Sequence, residues 1–336
     1  MKSLSFQALT MGVATAALLA ATPALAQTFR IAVGDGAGGT QHELGKAFIE
    51  AIEARSGGEM SGRLFLGGQL GDEQATVNDA AMGTLDMSIV AINNITPFSP
   101  SVGVLTLPYV ILSLEDAEAI TQGPIGGELV EATVRDAGVR IIGWAYSGFR
   151  VLTNSSRPVE TVDDLQGLVI RVPPNEIMIE TYRSWGINPT PLPWTETFTA
   201  LQMGVVDGQD NPYMTVYAMR FDEVQNHITN LRHVFSIEPL IVSESVYQAL
   251  SPEQQQIVIE AAGAATDHVA QFLREQEGEI REVLSERGME ITDPADEERE
   301  FIELATAGVW PKFYDQIGGV EQLNRVLEAL GREQIQ

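Results

Sequence analysis

The chain has 336 residues, with 46 acidic against 20 basic side chains, a formal charge of −26 and no cysteine. The missing cysteines exclude disulfides and thiolate metal sites. So negative a surface repels nucleic acid and anionic lipid, which excludes both as partners. An anionic ligand could be held against that field only by sheltered local positive charge, which points to buried arginines.

Lys2 opens a short positive region, 8–20 is apolar and rich in small residues, and Ala24-Leu25-Ala26 is a small-x-small site. This pattern predicts a signal peptide over 1–26, cleaved after Ala26, and therefore an exported protein. The remainder, about 310 residues, is enough for two domains of ordinary size. Positions 28–33 alternate as a strand and run into Gly34-Asp35-Gly36-Ala37-Gly38-Gly39. A helix is predicted over 41–54, with Leu44, Ala47, Phe48 and Ile52 on one face. The glycine loop lacks the lysine and the spacing of a phosphate-binding loop, so it reads as a tight turn. A strand over 62–66, a helix over 73–82 and a buried strand over 85–92 follow, the last ending in Asn93-Asn94. Helices are predicted over 114–121 and 128–137, and a strand over 139–145. Strands alternating with helices indicate α/β layers with mainly parallel sheets.

The stretch from 148 to 212 is the most informative. Arg171 lies in the apolar run Leu168-Val169-Ile170-Arg171-Val172, which is bounded by Gly167 and by Pro173-Pro174. Such a run reads as a buried strand. A guanidinium there needs a partner, because burial strips its hydration. That partner is either an internal carboxylate or something the protein binds; the planar fork of donors suits a carboxylate in both cases. Beyond this stretch come a helix over 214–221 and a strand over 234–242 that contains Glu238 and Pro239. Ser251-Pro252-Glu253 then starts a helix predicted over 252–287. Its length, about 54 Å, exceeds the width of one small domain, so it either bridges two domains or kinks, with Gly278 the candidate position. Helices over 298–317 and 320–330 close the chain.

Several segments, in order, resemble the solute-binding proteins of TRAP transporters, the tripartite ATP-independent periplasmic transporters. They are Gly68-Gln69-Leu70-Gly71-Asp72-Glu73, Gly148-Phe149-Arg150 with Thr153-Asn154 and Arg157-Pro158, and Asp164-Leu165-Gln166-Gly167 leading to Arg171-Val172-Pro173. The last is Ala200-Leu201-Gln202 with Val206-Asp207-Gly208-Gln209-Asp210-Asn211-Pro212. The resemblance implies a two-domain α/β fold of the periplasmic-binding-protein kind, hinged and spanned by one long helix. It implies domains of 27–147 plus 237–276 and of 148–236 plus 277–336. It puts the principal carboxylate-binding arginine at Arg171, a second at Arg150, a polar pocket residue at Asn211 and a pocket aromatic at Trp194. Asp35, Asn93 and His233 fall at or near pocket positions. The family's lysine before Ile-Arg-Val-Pro is Val169 here, and the residue after Arg171-Val172-Pro173 is Pro174, which has no side-chain donor.

The expected function is capture of an organic acid anion in the periplasm, a C4-dicarboxylate, sugar acid or similar carboxylate, and its delivery to membrane permease subunits by a monomeric protein. A ligand-sensing module of the same fold feeding a signalling receptor is the alternative. No cofactor or metal is expected, since His42, His227, His233 and His268 are scattered. An enzyme is not expected either: cysteine nucleophile, Gly-x-Ser-x-Gly elbow and His-Glu-x-x-His pair are all missing.

Overall fold

The computed structural model describes residues 27–335, so the signal peptide expected over 1–26 lies outside the described residues. The chain begins with β1 (Gln27–Val33), α1 (Thr40–Arg55), β2 (Met60–Phe65), α2 (Glu73–Ala81) and β3 (Met87–Ile89). β1 pairs in parallel with both β2 and β3. Next come α3 (Leu114–Thr121), α4 (Pro124–Ala137) and β4 (Val139–Asn154). The second part of the sheet uses β5 (Ile170–Val172), α5 (Glu176–Ser184), β6 (Thr190–Pro191), α6 (Thr197–Gln202), β7 (Gly208–Pro212), α7 (Tyr213–Ala218) and β8 (His227–Thr229). β9 (Phe235–Ser243), α8 (Glu244–Ala249), α9 (Pro252–Glu286), β10 (Glu290–Thr292), α10 (Arg299–Ile317) and α11 (Val320–Ala329) complete the fold.

The strands lie in the order β2-β1-β3-β9-β4-β7-β5-β6, with β8 beside β4 and β10 beside β8. The expected mainly parallel sheet is only partly found. β9 runs antiparallel to β3 and β4, and β4 antiparallel to β7 and β8. The reason lies in the path of the chain. β4 carries it out of the first lobe and β9 carries it back, so two neighbouring crossings must point in opposite directions.

β4 is 16 residues long, where the sequence predicted a strand ending at 145. Its early part pairs with β9 as far as Phe149, and from Arg150 onward it pairs with β7. The register slips between Ile141 and Gly143 and again between Tyr146 and Gly148. At Gly148 φ is +86°, a conformation that favours glycine. Gly148 sits at a bulge, which turns the strand from one half of the sheet to the other without ending it.

α9 runs for 35 residues without a break at Gly278, about 52 Å of continuous helix. A Ser251–Gln254 capping box starts it. Early in the helix Glu260 faces Arg55 of α1 at 3.8 Å. Late in it, the Arg281 and Arg287 guanidinia sit over the rings of Tyr213 and Tyr217, at 5.9 and 4.8 Å. The helix therefore spans both lobes. It comes close to β4 because Gly143 has no side chain: a Cβ there would lie 3.3 Å from Ala262 Cβ and from Thr266 Oγ1. The Trp144 N–H donates to that same Thr266 Oγ1 at 2.9 Å. α10 packs on α5, whereas α11 reaches back to α3 and pairs Arg325 with Glu128 of α4 at 2.6 Å. Phe29, Ile31, Phe48, Leu240, Val258 and Ala262 form one core under the first half of the sheet. Leu152, Val172, Tyr182, Trp185 and Phe301 form another under the second. No helix among the described residues is long and apolar enough to cross a membrane.

Candidate functional site

Arg171, in β5, is only 2% exposed. Its Nε and Nη2 both donate to the carbonyl oxygen of Leu192, at 3.0 and 2.7 Å. Among the described residues no carboxylate comes within ion-pair distance of it, and Nη1 makes no hydrogen bond. Burial, and then the neighbouring Arg150, push its guanidinium down to about 9. The guanidinium lies 5.8 Å from the centre of the Trp194 ring, close enough for a cation–π contact.

Arg150 is engaged differently. It is the first β4 residue to pair with β7, and it crosses to Asp210 on that strand. Nε reaches Asp210 Oδ2 at 3.3 Å, Nη2 reaches Oδ1 at 3.1 Å, and Nη2 also donates to the Asp210 carbonyl. His233 Nε2 donates to Asp210 Oδ2 at 2.8 Å. Burial by itself would raise the Asp210 carboxyl, but Arg150 and His233 hold it well below the usual carboxylate range. Arg150 is thus largely neutralised within the protein, while Arg171 retains its charge for use.

The two arginines line one cavity of about 100 Å³ with Asp35, Glu73, Asn93, Trp194, Asn211 and Glu238 among its walls. At about 10–15 Å³ of such space per water molecule, that is room for several waters or a small organic molecule. Six of the seven residues singled out in the sequence meet there: Arg171, Arg150, Asn211, Trp194, Asn93 and Asp35. His233 does not reach the cavity. It is fully buried behind Asp210, edge-to-face with Tyr182 and Trp185, and it acts on the site only by holding that carboxylate. Asn211 lies within β7 and donates to Gln209 Oε1, so it is not a turn cap before Pro212. Among the described residues no three His, Asp or Glu side chains are placed to hold a metal ion.

Sequence reasoning singled out Asp35 but missed Glu73 and Glu238, the rest of the acidic wall. Asp72 caps α2, accepting from the Ala75 N–H at 3.0 Å, and this turns Glu73 inward. Glu73 accepts from Gln41 Nε2 at 2.7 Å, from the Ala91 N–H at 3.3 Å and from Asn94 Nδ2. Asp35 accepts from the Gln41 N–H at 3.4 Å, within the first turn of α1. A Cβ at Gly39 would come 2.5 Å from the Asp35 carboxylate. Gly39 therefore makes room for Asp35. Burial pushes Asp35 and Glu73 up to about 7 and Glu238 up to about 8; Glu73 adds to the rise at Asp35, and Asp35 to that at Glu238. The clue in the sequence was an acid, Glu238, leading directly into the apolar run Pro239-Leu240-Ile241-Val242 of one strand.

Three hydrogen bonds close the cavity across the two lobes. Trp194 Nε1 donates to Gly34 O at 3.0 Å, Gln74 Nε2 to Pro174 O at 2.8 Å, and Asn175 Nδ2 to Asn93 O at 2.9 Å. Pro174, which has no side-chain donor, takes part through its backbone carbonyl.

Two lobes closed over a small cavity, with a buried cation in one wall, define a binding protein for a small anion. Residues 33–317 match the family described as bacterial extracellular solute-binding protein, family 7. The chain belongs to this family, the solute-binding component of TRAP transporters, and is a transport subunit and not an enzyme. It is 30% identical to the 2,3-diketo-L-gulonate-binding periplasmic protein of Escherichia coli, over 76% of this chain and 78% of that one. A TRAP periplasmic solute-binding protein of Rhodobacter sphaeroides, solved apo and open, is 36% identical with a TM-score of 0.75, covering 91% of this chain and 99% of that one. One from Polaromonas sp. JS666, bound to D-erythronate, is 27% identical with a TM-score of 0.85, covering 89% and 98%. The better superposition on the ligand-bound relative, despite lower identity, agrees with the closed lobes seen here.

Proposed function

We propose that this protein captures a small organic acid anion between its lobes and delivers it to the membrane subunits of a TRAP permease. One observation carries the reading: the Arg171 guanidinium is buried, has no acidic partner and borders a cavity. A ligand carboxylate supplies the missing partner through a charge-assisted, two-pronged contact. The names of the similar proteins, which refer to 2,3-diketo-L-gulonate and D-erythronate, support an acid of this kind. The lobes comprise 27–147 plus 237–276 and 148–236 plus 277–336, with α11 crossing back onto the first. Strands β4 and β9 form the hinge. The ligand favours closure because it touches both lobes and so binds the closed state more tightly than the open one. The protein acts in the periplasm as a monomer, after removal of 1–26 behind Ala26.

The test is calorimetric titration with D-erythronate, D-galactonate, succinate and 2,3-diketo-L-gulonate, coupled to small-angle scattering. At least one acid should bind and reduce the radius of gyration. If a broad set of organic acids leaves both heat and radius unchanged, the reading is wrong.

A further inference from the structure

The cavity holds more acid than base. Arg150 and Arg171 line it with Asp35, Asp72, Glu73 and Glu238, and Asp210 stands behind Arg150 and pairs with it. With all of these carboxyls ionised, five negative groups would surround two positive ones, and an arriving anion would raise the excess to four. Closure removes the water that screens such an excess, and protonating a carboxyl is the way to relieve it. The carboxyls differ in how firmly they are held ionised. Glu73 accepts from Gln41 Nε2, the Ala91 N–H and Asn94 Nδ2, and each bond favours its charged form. Asp72 is only half-buried and accepts from the Ala75 N–H. Asp35 and Glu238 are buried, and among the described residues neither has a cation within ion-pair distance. Asp35 accepts from the Gln41 N–H over a long 3.4 Å. Glu238 accepts from Ser236 Oγ at 3.4 Å and has the Ser147 hydroxyl beside it. A serine hydroxyl donates to a carboxylate or accepts from a carboxylic acid, so these surroundings suit both states. Burial, and then Glu73, push Asp35 up to about 7; burial, and then Asp35, push Glu238 up to about 8. Together the two carry about one proton near pH 7.5 and have room for one more.

We propose that capture of the acid takes up a proton, which enters on Asp35 and Glu238, so that the protein grips its ligand below neutral pH and loosens its hold as pH rises through the neutral range. The proton comes from the surrounding buffer. The anion brings a negative charge into the space these carboxyls share. It also neutralises Arg171, whose charge otherwise helps Glu73 stay ionised. Both changes favour the protonated carboxyls. Their midpoints therefore rise on binding, and above about pH 6 the complex holds more protons than the empty protein. Affinity must then fall as pH climbs through 7 to 8, and it levels off below about pH 6, where the pair is protonated with or without ligand. The other charged groups of the site do not account for this span. Arg171 begins to lose its proton only near about 9, Asp210 is held well below the usual range, and an ordinary ligand carboxyl is ionised above about pH 5.

This inference rests on the carboxylate reading above and names how the same site is regulated; the experiment separates the two. The purified protein is titrated calorimetrically with D-erythronate, D-galactonate and succinate at about pH 6, 7.5 and 8. Each titration is run in two buffers of different ionisation enthalpy, so that the heat counts the protons exchanged. At about pH 7.5 an acid that binds should take up about 0.5–1 proton, and its affinity should be about tenfold weaker at pH 8 than at pH 6. Asp35→Asn combined with Glu238→Gln replaces the pair by uncharged groups of the same shape as the protonated acids. In that variant the uptake should fall by at least about half, and the change in affinity between pH 6 and 8 should shrink to about threefold or less. Melting without ligand reports whether the double variant folds, and the single variants serve in its place where it does not. Binding with no proton exchanged and with constant affinity overturns the proposal and leaves carboxylate capture standing. So does release of a proton on binding, or undiminished uptake in a folded variant. Binding of none of the acids overturns carboxylate capture, and the proton uptake with it.

Discussion

Replacing Arg171 with methionine should stabilise the empty protein and disable it together. Methionine replaces the aliphatic stem of the side chain without the guanidinium and suits a buried site. A buried base lowered from 12.5 to about 9 costs the charged fold about 5 kcal/mol at any pH below that value. Against this, the Leu192 carbonyl loses both of its donors, a penalty of about 1–3 kcal/mol. The balance is a gain of about 2–4 kcal/mol. For a chain of this size that is about 3–6 °C in melting temperature. Ligand binding moves the other way. One or two charge-assisted hydrogen bonds are lost at about 1.5–3 kcal/mol each, which weakens the acid by at least about tenfold. Differential scanning calorimetry without ligand and isothermal titration with the preferred acid measure the two halves. A purely structural arginine predicts the reverse, and a methionine variant that melts lower yet binds as before would refute the assignment.

Asp210→Asn should act oppositely, because it strands Arg150 as a buried cation with its partner removed. A loss of about 3–5 kcal/mol is expected in urea denaturation; a loss under about 1 kcal/mol would mean that water already screens the pair. Asn175→Asp keeps the α5 cap, since a carboxylate accepts from the Met178 N–H as the amide does, but it deletes the donor to Asn93 O. The empty protein should melt unchanged while the acid binds about 3- to 10-fold more weakly, and undiminished affinity would show that this contact does not hold the lobes shut. Asp35, Glu73 and Glu238 are raised to about 7, 7 and 8. Their contribution is therefore complete below about pH 4 and is lost as pH climbs through 7 to 8. The lowered Asp210 does the opposite, supporting the fold above about pH 4 and failing in acid. On these groups the melting temperature of the empty protein should peak near about pH 4 and fall until about pH 8; a level profile between pH 4 and pH 8 would show that the acidic wall ionises freely.

The long helix was legible because its signals are local: a capping serine, a proline at the first helical position and apolar side chains at helical spacing. Arg171 was legible because an arginine between Ile170 and Val172 conflicts with its surroundings unless something pairs with it. What stayed hidden depends on strand pairing. Arg150 and Asp210 are 60 residues apart, and only the β4–β7 pairing makes them partners. His233, expected at or near the pocket, lies behind Asp210 for the same reason, since nothing local shows that pairing. The strand predicted over 139–145 was too short because nothing local shows that β4 continues through the bulge at Gly148 to Asn154. Glu73 was quoted within its motif without a role, because the inward turn of the first residue of α2 follows from the cap at Asp72 and not from the spacing of apolar residues.

Because β4 and β9 belong to both halves of the sheet, neither half can be excised as an autonomous fragment. A polypeptide ending before 235 would leave β3 and β4 without the strand that lies between them, with a row of unpaired amides and carbonyls open to aggregation. The sheet is completed only when this late strand is in place, so the order of the chain makes the second crossing the step that joins the two lobes.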